Sequence, residues 1–248
     1  MEKRKPIIAL DFNKASEVHA FLTSFGDEKL NIKIGMELFY SSGPDIVIDL
    51  IDSNHDIFLD LKLHDIPNTV QKAMKVLAQL GVGMVNVHAQ GGRKMMEAAR
   101  EGLEQGTPPG QTRPRLIAVT QLTSLSEEAF KKEQKSFLSL EESILDYAKL
   151  ANTAGLDGVV CSPLEAKIIH EEISEKFLTV TPGIRLETKI TDDQTRIATP
   201  KQAALGGSDY IVVGRPITKA ENPFETYQKI QNDWEKTLKE GVQSNDNQ

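Results

Sequence analysis

The chain has 248 residues, 39% of them hydrophobic and 26% charged, proportions of a folded globular protein that exclude an intrinsically disordered one. Its 29 Lys and Arg against 36 Asp and Glu give a formal charge of −7, which excludes a surface built to neutralise nucleic-acid phosphates. A single cysteine, Cys161, excludes an intramolecular disulfide, and no apolar stretch approaches the ~18 residues of a membrane span.

In chain order, short apolar runs predict eight strands: Ile7–Phe12, Ile32–Leu38, Ile57–Leu63, Met84–Ala89, Leu116–Leu122, Gly158–Cys161, Leu178–Thr181 and Tyr210–Val213. Asp11 breaks the first apolar run, so no signal peptide is expected, and a cytoplasmic location is. The segments between strands carry helical spacing, as in Val70, Ala73, Val76, Leu77 and Leu80, or Ile144, Leu145, Ala148 and Leu150. Gly26, Gly81, Gly102 and Gly155 follow such runs and read as helix stops. Runs such as IIAL and YIVV, apolar at consecutive positions, suit parallel strands buried on both faces.

Eight strand-then-helix units without an internal boundary predict one α/β domain over residues 1–248, a closed (β/α)8 TIM barrel. An open doubly wound sheet is the alternative, but no GxGxxG turn follows the first strand. Two connections, Ser124–Leu140 and Arg185–Thr199, exceed the typical length of about two to six residues. The polar tail from about residue 239 is expected to fray.

Barrels of this type keep their chemistry at the C-terminal strand ends. Asp11 closes the first strand, Lys33 lies on the second, and the third carries Asp60 and Lys62, with Asp65 following. Thr123 follows the fifth strand, Arg185 the seventh, and Gly214 with Arg215 the eighth. Buried strands rarely carry charge, because taking a lone ion out of water is costly. Asp60 and Lys62, two residues apart, share one face of a strand, with Leu59, Leu61 and Leu63 on the other. A structural ion pair would explain those two alone. Lys33, Asp60, Lys62 and Asp65 together point to a fixed electrostatic array.

The loops after the seventh and eighth strands, which bind phosphate in many such barrels, read TPGIR (Thr181–Arg185) and VGRP (Val213–Pro216). Their glycines let backbone N–H groups approach an anion, and Arg185 or Arg215 adds charge-assisted bonds. Asp192, Asp193 and Gln194 fall in the long loop beyond Arg185, which reads as either a lid or a plain connection. His64 and His88 have no third partner at metal-ligand spacing, so no metal is expected. Cys161 reads as a small core residue, Tyr227 and Trp234 as packing anchors, and Gly91–Gly92 as a turn.

FLDLKLHDIPNTV (Phe58–Val70) resembles the signature of the orotidine 5′-phosphate decarboxylase family in its bacterial form. IALDF, KIGMELFYSSGP (Lys33–Pro44), MVNVHA (Met84–Ala89), VVCSP, TPGIR and YIVVGRPIT (Tyr210–Thr218) resemble it in the same order, from about residue 6 to 238. The DxKxxD core is shared with sugar-phosphate enzymes of the same superfamily. The longer DLKLHDIPNT, with DDQTR (Asp192–Arg196) and VGRPIT, is far more specific. Gln90 and Leu186 depart from the family pattern, where a small residue and Pro are common.

The resemblance implies cofactor-independent decarboxylation of orotidine 5′-monophosphate to UMP and CO2 in de novo pyrimidine biosynthesis, by a homodimer with shared active sites. It implies Lys62 as proton donor to C6 of the pyrimidine, Asp60 beside the substrate carboxylate, and Lys33 holding Asp60 and a ribose hydroxyl. Asp65 and Thr69 would enter the site of the other subunit. Asp11 would bind ribose hydroxyls, Thr123, with Ser124 beside it, the pyrimidine, and Arg185, Gln194, Gly214 and Arg215 the phosphate. Neither nucleic acid nor membrane is an expected partner. The alternatives are a Mg2+-dependent sugar-phosphate decarboxylase or aldolase of the same superfamily, and a silent barrel that only binds nucleotides.

Overall fold

The computed structural model describes residue 1, residues 5–186 and residues 196–245, with side chains to residue 238. Its parallel strands close into a barrel in sequence order. They are β1 (Ile7–Leu10), β2 (Asn31–Gly35), β3 (Asp56–Leu63), β4 (Met84–His88), β5 (Arg115–Val119), β6 (Gly158–Val160), β7 (Leu178–Thr181) and β8 (Tyr210–Val213). β8 closes the ring by pairing Val212 with Ile7 and Val213 with Ile8. Around it lie α1 (Ala15–Leu22), α2 (Met36–Ser42), α3 (Asp45–Asp52), α4 (Pro67–Ala78), α5 (Gly92–Gly106), α6 (Glu127–Glu133), α7 (Leu140–Thr153), α8 (Ala166–Glu172), α9 (Pro200–Leu205), α10 (Arg215–Thr218) and α11 (Pro223–Asn245).

The expected eight strands stand in the expected places, but five end early: β4 and β6 by one residue, β1 by two, at Leu10, and β2 and β5 by three. Met36–Leu38, expected in the second strand, instead open α2, and Leu38 is buried there. Beyond β5 the Thr120 N–H still reaches the Val160 carbonyl, at 3.3 Å, and Gln121 and Leu122 leave the ladder. An apolar run marks burial, not the point at which the backbone stops pairing. The helices begin where local chemistry allows: Pro67 starts α4, and capping boxes start α7 (Ser139 with Glu142) and α9 (Thr199 with Gln202). The last helix reaches Asn245, into the tail expected to fray, whose last three residues lie outside the described ones.

Burial on both strand faces divides the core into two layers. Between strands and helices lies a large apolar layer that includes Ile8, Leu10, Ile32, Leu59, Val85 and Trp234. Inside the barrel lie Ile7, Phe58, Met84, Ile117, Val180, Tyr210 and Val212. Arg115 lies over the Tyr210 ring, 5.6 Å from its centroid, and its Nη1 donates to the Tyr210 hydroxyl, a polar contact inside this layer.

Gly102 does not stop a helix; it lies inside α5. A Cβ there would come 2.2 Å from the carbonyl oxygen of Gln71, and one at Gly106 would come 2.2 Å from that of Lys75. The two glycines, one turn apart, are therefore needed for α4 and α5 to approach so closely. Val76, expected on the buried stripe of α4, is exposed, and Met74 and Ala78 are buried instead.

Candidate active site

A cavity opens at the C-terminal end of the barrel. It is lined by Asp11 beyond β1, Lys33 on β2, Asp60 and Lys62 on β3, and Gln121 to Ser124 beyond β5. Pro182, Gly183 and Arg185 beyond β7, with Gly214 and Arg215 beyond β8, complete its wall. The floor is apolar, formed by Ala9, Phe58, Val119, Val160, Val180 and Val212.

Its charges form a chain. Lys33 Nζ is 3.4 Å from Asp11 Oδ1 and 3.1 Å from Asp60 Oδ2, and Lys62 Nζ is 2.7 Å from Asp60 Oδ1. Burial works against both charged forms of the Lys33–Asp60 pair, and the opposing neighbours prevail. Asp60 and Asp11 hold the Lys33 pKa above its ordinary value. Lys33 and Lys62 hold that of Asp60 below the ordinary carboxylate range. A Cβ at position 35 would lie 3.3 Å from Lys33 Nζ, so Gly35 keeps open the space in which Lys33 meets Asp11.

The expected strand alternation does not fully account for Lys62. The β3–β4 register shifts between Leu59 and Leu63, and Lys62 has φ 51°, in the left-handed region. For a residue with a Cβ this costs about 1–2 kcal/mol. Two bonds from Asn86 on β4 accompany the distortion: Asn86 Oδ1 accepts the Lys62 backbone N–H at 2.8 Å, and Nδ2 donates to Asp60 Oδ1 at 2.7 Å.

Amides hold the rim beyond β5. Gln121 donates to Ser143 Oγ at 3.1 Å and accepts from Gln134 Nε2 at 3.0 Å, while Gln90 donates to Gln134 Oε1 at 3.4 Å. Arg196 ties this rim to two other loops. Its Nη2 donates to the Leu122 carbonyl at 2.8 Å, and its Nη1 lies 2.6 Å from Glu165 Oε1. Glu165 Oε2 in turn accepts the Ser162 N–H at 2.5 Å. Burial raises the Glu165 pKa against the pull of Arg196. Beside it, Arg185 N–H donates to the Ala198 carbonyl and Ala198 N–H to that of Gly183, pinning both ends of the connection after β7.

Of the expected site residues, Asp11, Lys33, Asp60, Lys62, Thr123, Arg185, Gly214 and Arg215 meet at this cavity. Asp65 and Thr69 do not line it; both are exposed, with Asp65 Oδ1 accepting the Ile66 N–H at 2.6 Å. Gln194, with Asp192 and Asp193, lies outside the described residues. The rings of His64 and His88 lie with centroids 5.7 Å apart, tilted by 41°, and Cys161 is buried in the outer core layer. Sequence reasoning missed Asn86, Gly35, Gln121 and the role of Arg196. Only Asn86 left a signal, as an amide in the middle of the otherwise apolar MVNV.

The model of the orotidine 5′-phosphate decarboxylase/HUMPS family matches residues 4–230. The chain belongs to this family. Among relatives named orotidine 5′-phosphate decarboxylase, that of Lactococcus lactis subsp. cremoris (strain SK11) is 56% identical over 235 residues, covering 94% of this chain and 99% of its own. That of Listeria innocua serovar 6a is 60% identical over 230 residues, covering 93% and 98%. Solved structures from the decarboxylase family share the barrel. The Lactobacillus acidophilus enzyme aligns with a TM-score of 0.84 at 46% identity, over 93% of this chain and 99% of its own. The Pyrococcus horikoshii enzyme aligns at 0.73 and 25%, over 92% and 98%.

Proposed function

We propose that this chain decarboxylates orotidine 5′-monophosphate to UMP and CO2, a step of pyrimidine biosynthesis. The observation that carries the reading is the Lys33–Asp60–Lys62 array at the mouth of the barrel, in a chain 56–60% identical to relatives named for this reaction. Breaking the bond between C6 and the carboxylate leaves an electron pair in an in-plane orbital that the pyrimidine ring delocalises poorly. A cation fixed where that charge develops lowers the barrier without reorganising. In this reading the cation is Lys62: the C–C bond breaks, the pair stays on C6, and Nζ passes a proton to C6 as CO2 leaves.

Asp60 sits beside the departing carboxylate, and Lys33 holds Asp60 and a ribose hydroxyl. Asp11 takes ribose hydroxyls and Thr123 the pyrimidine. Arg185, Gln194, Gly214 and Arg215 take the phosphate, whose grip supplies binding energy remote from the reacting bond. The reading requires no cofactor.

The proposed unit is a homodimer, with the partner subunit's Asp65 and Thr69 completing each site. Their exposure, and that of the apolar Ile66 between them, supports this. A cytoplasmic location and one domain spanning residues 1–248 complete the proposal; among the described residues no helix is long and apolar enough to cross a membrane.

The deciding experiment follows the ultraviolet absorbance of orotidine 5′-monophosphate with purified protein, with and without EDTA. Rapid loss indifferent to EDTA is expected. Activity only on sugar phosphates with Mg2+ would transfer the chain to the other branch of the superfamily, and UMP binding without turnover would make it a silent binder.

A further inference from the structure

We propose that Asn86 is a positioning residue that aims the Lys62 ammonium, a role that rests on Lys62 acting at C6. Asn86 lies midway along β4, buried, and is not among the residues that line the cavity, so any effect on substrate passes through other groups. Its amide makes two bonds of opposite sense to β3, accepting from the Lys62 backbone N–H at 2.8 Å and donating to Asp60 Oδ1 at 2.7 Å. That same Asp60 oxygen lies 2.7 Å from Lys62 Nζ. One amide thus fixes both the main chain from which Lys62 springs and the carboxylate to which its tip is tied.

A backbone N–H can only donate and a carboxylate can only accept, so a bridge between them must offer one acceptor and one donor. An uncharged carboxamide of this length does so. The restraint acts where β3 has lost register with β4 and where Lys62 holds φ 51°. The Oδ1 bond stands in for a ladder bond at that point. Without it the segment relaxes, Nζ moves away from C6, and the contacts to ribose and phosphate stay. A misplacement of ~1 Å costs roughly a hundredfold in rate.

The test compares Asn86→Ala with Lys62→Ala in the full-length chain, measuring kcat and KM for orotidine 5′-monophosphate, UMP affinity and thermal unfolding. Asn86→Ala should lose about a hundredfold in kcat while its UMP affinity stays near the parent's. Asn86→Asp keeps the shape and the acceptor for Lys62 N–H but sets a second carboxylate against Asp60. The charged groups around it are Asp60 and Lys62 on β3 and Lys33 on β2; His88 follows on its own strand, and its β5 neighbour Ile117 is apolar. Protonating one of two crowded carboxylates restores the missing donor, so kcat of Asn86→Asp relative to the parent should rise as pH falls. A merely structural role gives no such trend, and this variant decides the matter if Asn86→Ala does not fold.

Parental kcat in Asn86→Ala, or a flat relative profile in Asn86→Asp, overturns the role of Asn86. Near-normal turnover in Lys62→Ala overturns the underlying reading of Lys62 instead.

Discussion

Removing the Lys62 side chain leaves Asp60 still held by Lys33 and Asn86, so the site keeps its shape while losing the cation proposed to act at C6. Lys62→Ala should therefore abolish turnover by many orders of magnitude and still fold and bind UMP, as circular dichroism and calorimetric titration would show. Near-parental turnover would dismiss the role. The array also links stability to pH. The Asp60 pKa is lowered on folding, so its contribution is complete above its ordinary value of 3.8 and disappears as pH falls from there through the folded value. Lys33 behaves in the opposite sense, its contribution present below 10.5 and lost as pH climbs through the raised folded value. In urea unfolding, the stability difference between the parent and Asp60→Asn should hold steady at neutral pH and change on the acid side of 3.8, and again above 10.5, where Lys33 loses the partner that raises its pKa. A constant difference through that acid window would contradict the linkage.

At the scale of elements, the closest approach is between α4 and α5. Gly102→Ala would drive a Cβ against the backbone of Gln71, which has no flexible end to yield, and overpacking of this kind costs about 1–3 kcal/mol. The denaturant midpoint should fall accordingly, and kcat/KM with it if Thr69, in the first turn of α4, enters the partner's site as proposed. An unchanged midpoint would show that the helices part freely. This position also shows where sequence reasoning stops. Eight apolar runs separated by helical spacing were enough to recover the barrel, because periodicity reports burial directly. The same periodicity misread Gly102, since a glycine admitting a neighbouring helix looks like one ending its own. In the site, charges on strands were legible because burial makes them expensive. Gly35 and Arg196 were not, and Asn86 showed only as an amide in an apolar run, because each acts through a contact between segments distant in sequence: Asn86 with Lys62, Gly35 with the Asp11–Lys33 pair, Arg196 with Leu122 and Glu165.

For the whole molecule, the decisive fact is that Asp65 and Thr69 stand outside the cavity of their own chain. If each site borrows them from a second copy, inactive Lys62→Ala and Asp65→Ala subunits should complement one another. A mixed dimer would contain one pocket with both residues intact and one with neither, so about half of the parental turnover should return. Verified mixed dimers without activity would mean that each chain completes its own site. Stability too belongs to the whole chain, and the left-handed backbone at Lys62 lowers it. Lys62→Gly should be more stable than Lys62→Ala by about 1 kcal/mol, since glycine takes that conformation without strain, and equal melting temperatures would deny the strain. On the proposed role of Lys62, a lineage released from the need for this reaction would find one of its easiest gains in robustness at that residue. If Lys62 acts at C6 as proposed, turnover is what holds a lysine in a place that suits glycine.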